Sequence, residues 1–215
     1  MRIKNNPKIF YLACGLLVAG DRQYDQADAE VAALVEKIQE TAVDADILQW
    51  FDLEKAHDIM VSTLLVEDGQ DFDVDRIMVF LSNVNRFSPI DQEGSRKWLA
   101  RLPEILTYLE GVFRGFWKEY CALMFARTNS WMPEIEASRK LLKEFFGREN
   151  IPGMMLAANL FASSSVAGFL RLPDGTVCMI GSRPDIEGML QEVMRPKLMP
   201  QEYCVDIMQK GMVKP

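Results

Sequence analysis

The chain has 215 residues, with 24 Lys and Arg against 31 Asp and Glu, a net charge of −7, four cysteines, thirteen methionines and a single histidine. With 49% hydrophobic and 26% charged residues it reads as one soluble globular domain with a self-sufficient core. One histidine excludes the two-histidine zinc sites and the facial triad within this chain, and a Ser-His-Asp triad would have to use His57.

The acidic balance and the lack of a long basic cluster (Arg139, Lys140 and Lys143 are the densest) argue against nucleic acid and against an anionic membrane surface as partners. Cys14, Cys121, Cys178 and Cys204 are scattered without C-x-x-C spacing, and the first three lie among apolar neighbours. Buried reduced thiols are expected, and neither a disulfide framework nor a metal site or other cofactor.

In chain order, Arg2, Lys4 and Lys8 precede an apolar run from Ile9 to Gly20. This pattern fits a signal peptide or a buried first helix; the helical pattern that follows favours the helix, and with it a cytoplasmic protein over a secreted one. The run is too short to span a bilayer. Ala27 to Thr41 carries Val31, Leu34, Val35 and Ile38 at helical spacing after an acidic start, which predicts a second helix. A third is expected over roughly 46–66, containing His57, and a fourth around Ile77, Met78, Phe80 and Leu81. Asp71, Asp73 and Asp75 begin like a calcium loop, but Arg76 stands where glycine is needed and Ser82 where glutamate is needed.

Ser88-Pro89 reads as a helix start, and Pro103 as a restart or kink. From Glu104 to Ala126 the positions Leu106, Leu109, Phe113, Phe116, Trp117, Tyr120 and Met124 recur at helical spacing, an aromatic stripe that suits core more than a ligand pocket. Ser130 to Glu134 is expected to open the next helix, which stops at Gly147. The texture then changes to strand. Met154 to Phe161 is an apolar run, and Gly168–Leu172 and Thr176–Gly181 flank Pro173-Asp174-Gly175 as a hairpin. Ser182 is expected to start a helix that ends at Pro196, and a short helix over about 200–211 follows. Met154, Met155, Met189, Met194 and Met199 form a late cluster that fits core packing or an interface.

The predicted class is α+β and mostly helical. N-terminal helices lead to a small antiparallel sheet over about 153–181 and then to C-terminal helices. Residues 1–147 and 148–215 are read as two regions packed as one domain. No G-x-S-x-G surrounds any serine, Ser163 to Ser165 included, and the glycine-rich nucleotide loops are absent.

One helix carries a further pattern. In an H-E-x-x-H helix two histidines at i and i+4 reach one zinc, and the glutamate between them takes a proton from zinc-bound water. Here Gln191 and Arg195 occupy the histidine positions and Glu192 the general-base position. With the preceding strand pair and the aromatic helices ending near Phe146-Gly147, the chain over about 7–200 resembles the uncharacterised bacterial gluzincin-like metallopeptidase families. The resemblance implies a zincin-like fold in which Gln191, Glu192 and Arg195 are vestigial, because arginine is permanently protonated and cannot ligate zinc. Such families place a third ligand further downstream, so the resemblance implies a pseudo-peptidase or a truncated half.

The expected function is therefore non-catalytic protein–protein binding, with another protein or a second copy of the chain as partner. Two alternatives stand beside it. One is a histidine-independent enzyme using Asp185 with Glu187 or Glu192 near the hairpin mouth; the other is a subunit of a larger assembly.

Overall fold

The computed structural model describes residues 2–21, 28–51, 73–75, 77–79, 92–147, 153–161, 169–171 and 176–198. His57, Ser88-Pro89, Ser163–Ser165, the expected hairpin turn 173–175, Met199, Cys204 and the expected helix 200–211 lie outside them. So do Asp71, Arg76 and Ser82 of the calcium-like stretch and most of the expected third helix.

The chain begins with a strand, β1 (Arg2–Asn5), and passes at once into α1 (Pro7–Val18). The Asn6 side chain accepts from Lys8 N at 2.9 Å, and Pro7 takes the first turn, where its missing N–H is of no consequence. The apolar run is thus a helix at the centre of the core: every residue from Ile9 to Leu17 is buried. Gly15 lies directly beneath the Phe51 ring, where a Cβ would collide with it.

Helix α2 (Ala29–Gln39) buries Val31, Leu34, Val35 and Ile38, the four positions its periodicity selects. Asp28 caps it by accepting from Val31 N at 3.1 Å. Helix α3 (Ala45–Trp50) is clasped to α4 (Gln92–Ala100) by a reciprocal pair of bonds. Trp50 Nε1 donates to Trp98 O at 3.0 Å and Trp98 Nε1 to Trp50 O at 2.8 Å, with the rings stacked at 4.8 Å.

The stretch expected as one helix from Glu104 to Ala126 is two. Helix α5 (Leu102–Phe113) ends at a 3-10 turn, Arg114–Phe116, before α6 (Trp117–Phe146) begins. Gly111 and Gly115 weaken helix here, and the turn lets Leu109 and Phe113 enter the core from one helix and Tyr120 and Met124 from the next. Conversely, Ser130–Glu134 does not start a helix, because α6 runs through Pro133 to Phe146. Asn129, whose carbonyl loses its donor to the proline ring, is exposed together with Pro133, so water can satisfy it. Gly147 ends the helix with φ 82°.

The sheet departs from the antiparallel expectation. Its strands are β1, β2 (Met154–Ala158), β3 (Phe169–Arg171) and β4 (Val177–Gly181), in the order β1-β2-β4-β3. β1 runs parallel to β2, with Arg2 opposite Met155 and Asn5 opposite Ala158. β2 runs parallel to β4, with Met154 opposite Val177 and Ala158 opposite Gly181; the β3–β4 hairpin alone is antiparallel. A parallel neighbour needs a crossover of a dozen or more residues, and the helices from α1 to α6 are that crossover between β1 and β2. β4 is buried along its length and β2 nearly so, as suits central strands covered on both faces. β1 is a short edge strand with Arg2, Lys4 and Asn5 exposed and Ile3 packed on the core.

Helix α7 (Ile186–Leu198) packs on β4, β3 and α6. Its cap is Asp185 and not Ser182: Asp185 Oδ1 accepts from Gly188 N at 3.0 Å. It also continues through Pro196 instead of ending there. No helix among the described residues is long and apolar enough to cross a membrane.

Candidate functional site

Helix α7 carries the Gln191–Glu192–Arg195 series, and its amphipathic pattern fixes how these residues stand. Met189 and Val193 are buried against the sheet, which leaves Gln191 and Arg195 on the exposed side and Glu192 between the two. Gln191 Nε2 lies 3.4 Å from Glu187 Oε1, one turn back on the same helix. Glu192 forms an ion pair with Arg195, whose side chain is mostly in solvent, while the Glu192 side chain is 25% exposed. From the neighbouring strand, Arg171 Nη2 donates to Glu192 O at 3.0 Å, tying α7 to β3. Gln191 and Arg195 thus share a face of the helix, and the Glu192 carboxylate is paired with the Arg195 guanidinium.

At the other end of α7 the chain leaves β4 at Gly181 and turns through residues 182–185. Asp185 N donates to Met179 Sδ at 3.4 Å, which holds this turn over β4. The turn, α6 and the first residues of α7 enclose a cleft of about 410 Å³ lined by Glu134, Met179, Arg183, Pro184, Asp185, Ile186 and Glu187. Of its apolar lining residues, Met179 and Pro184 are buried and Ile186 is half-buried. The charged residues around it are exposed. Of the carboxylates named from sequence, Asp185 and Glu187 share this cleft and Glu192 lies outside its lining. Asp185 spends one oxygen as the helix cap.

Sequence reasoning missed Glu134, Met179 and Arg183. Arg183-Pro184-Asp185 was visible as a helix start, but Glu134 comes from the middle of α6, and only the packing of α6 on α7 brings it here. Among the described residues no group of three or more His, Cys, Asp or Glu side chains is placed to hold a metal ion.

Elsewhere the polar chemistry serves the core. Tyr120 OH donates to Ala158 O at 3.1 Å and accepts from Leu160 N at 3.2 Å, and burial pushes its phenol well above the ordinary range. Phe10, Trp117 and Phe161 surround the Tyr120 ring at 4.6, 5.5 and 5.4 Å, so the aromatic stripe is core. Cys14, Cys121 and Cys178 are in no disulfide, and burial raises the thiols of Cys14 and Cys121. Of the methionine cluster, Met154 and Met189 are buried and Met155 and Met194 half-buried.

Comparison with protein-family models, with curated proteins and with solved structures gives no match.

Proposed function

We propose that the chain is a non-catalytic protein that works by binding another protein, and that Gln191, Glu192 and Arg195 are the vestige of a zincin-like series. The observation that carries the binding reading is Phe125. Phe125 is 69% exposed on α6, one residue beyond Met124, which is fully buried in the core. Met132, 40% exposed, lies two helical turns further on, on the same face. An exposed aromatic side chain with few rotamers, on a helix that carries a flexible methionine two turns along the same face, has the character of an interface anchor. The zincin-like descent is supported by the packing of α7 against the strands that precede it, and the pairing of Glu192 with Arg195 supports loss of the general base.

The test is a photo-crosslinking amino acid at position 125 or 132 of the full chain in the cells that produce it. A discrete protein adduct from both positions, absent when the probe replaces exposed Glu144, is the expected result. No adduct from either position contradicts the reading. The mass of the adduct separates a different protein, or a subunit of a larger assembly, from a second copy of this chain.

The histidine-independent enzyme is favoured by one observation, the common cleft of Asp185 and Glu187. It predicts turnover of a small molecule that is lost in Glu187→Gln.

A further inference from the structure

The cleft between α6 and the β4–α7 turn holds charges of both signs that do not satisfy one another. Arg183 lines the same space as Glu134, Asp185 and Glu187, yet among the described residues it makes no ion pair with any of them. Glu134 likewise makes no hydrogen bond or ion pair there, whereas Asp185 is engaged with Gly188 N and Glu187 with Gln191. Alongside these exposed groups the cleft is lined by the less exposed apolar residues Met179, Pro184 and Ile186. At about 410 Å³ the cleft falls within the range of small-molecule sites, roughly 300–1,000 Å³.

From this juxtaposition we infer that the cleft binds a small zwitterion of the aliphatic α-amino-acid type. A guanidinium is the group best shaped to take a carboxylate through two parallel hydrogen bonds, and Arg183, exposed and without an ion pair among the described residues, can do so. Glu134, joined by Glu187, takes the ammonium, and the aliphatic side chain lies on Met179, Pro184 and Ile186. A bare metal ion fits this place poorly. The carboxylates stand around the cleft without converging, and no group of three among the described residues is placed to ligate one. A ligand with only one sign of charge would engage either Arg183 or Glu134 and leave the other to water. The site is separate from Phe125, so its test does not depend on the binding surface of α6.

The experiment uses the full chain labelled with ¹³C-methyl methionine, with the Met179 signal assigned through Met179→Leu. Three probes of matched length are titrated: norleucine (zwitterion), hexylamine (cation) and hexanoate (anion). Norleucine is expected to move the Met179 methyl signal saturably, and each single-charge probe to bind at least about tenfold more weakly. Arg183→Gln and Glu134→Gln, both at exposed positions, are each expected to weaken norleucine by about tenfold while leaving the other methionine signals in place. The inference is overturned if millimolar norleucine leaves Met179 unmoved, if hexylamine or hexanoate binds as tightly as norleucine, or if both variants bind norleucine as the parent chain does.

Discussion

Helices α1 and α7 both leave the carboxyl ends of parallel strands in one sheet, and they differ in what surrounds them. α1 follows β1 directly and is buried from Ile9 to Leu17, with Phe10 touching the rings of Tyr11, Trp117, Tyr120 and Phe161. α7 follows β4 after a turn, buries Met189 and Val193, and turns Glu187, Gln191 and Arg195 to solvent. Identity in α1 is set by close packing, in which one methylene matters. On the outer face of α7 a charged series costs almost nothing, so its presence says little about stability, and its chemistry must be judged by what it faces.

The sharpest way to break the contrast is to empty the centre of α1. Phe10→Ala removes a fully buried ring and is expected to cost about 3–5 kcal/mol in urea unfolding, a large share of the stability of a typical domain. A cost under about 1 kcal/mol would mean that α1 is not the centre of the core. Overpacking the same helix should act in the same direction: Gly15→Ala sets a methyl against the Phe51 ring, and a loss of about 1–3 kcal/mol is expected.

A smaller effect is expected at Asp28, which caps α2 and pairs with Arg127 of α6. Burial alone would raise its carboxyl. The Arg127 guanidinium and the backbone N–H groups of Val31 and Glu30 outweigh that and hold it below the usual carboxylate range. With the folded value depressed, the stabilisation is complete above the unfolded value of about 3.9 and is lost as pH falls through the folded value. Asp28→Asn should therefore cost about 1 kcal/mol at pH 7 and much less near pH 2. Equal losses at both would show that the charge is not what matters.

The smallest effects are expected on α7. Gln191→Ala and Arg195→Ala should each change stability by less than about 0.5 kcal/mol, because both side chains stand in solvent and their contacts lie within one helix. A loss of more than about 2 kcal/mol from either would place that side chain in a structural role which the exposed face of α7 does not suggest.

Where burial follows local periodicity, the sequence was readable. Val31, Leu34, Val35 and Ile38 face the core as their spacing requires, and β3 pairs antiparallel with β4 as the strand-like runs on either side of residues 173–175 suggest. Where tertiary partners decide, it was not. β1 has four residues, three of them polar, and becomes a strand only because β2 offers it a parallel edge. Pro133 sits inside α6 because its neighbours face water, which no local pattern records. The cleft was half visible: Asp185 and Glu187 are neighbours in sequence, whereas Glu134 and Met179 reach them only through packing.

If the Gln191–Glu192–Arg195 series of α7 is vestigial, as proposed, it should hold no metal. The most direct measurement is the zinc content of the purified full chain by elemental analysis after incubation with zinc and desalting. Far less than one equivalent per chain is predicted, both in the parent and in Glu192→Gln. One equivalent in the parent chain, lost in Gln191→Ala, would contradict the account.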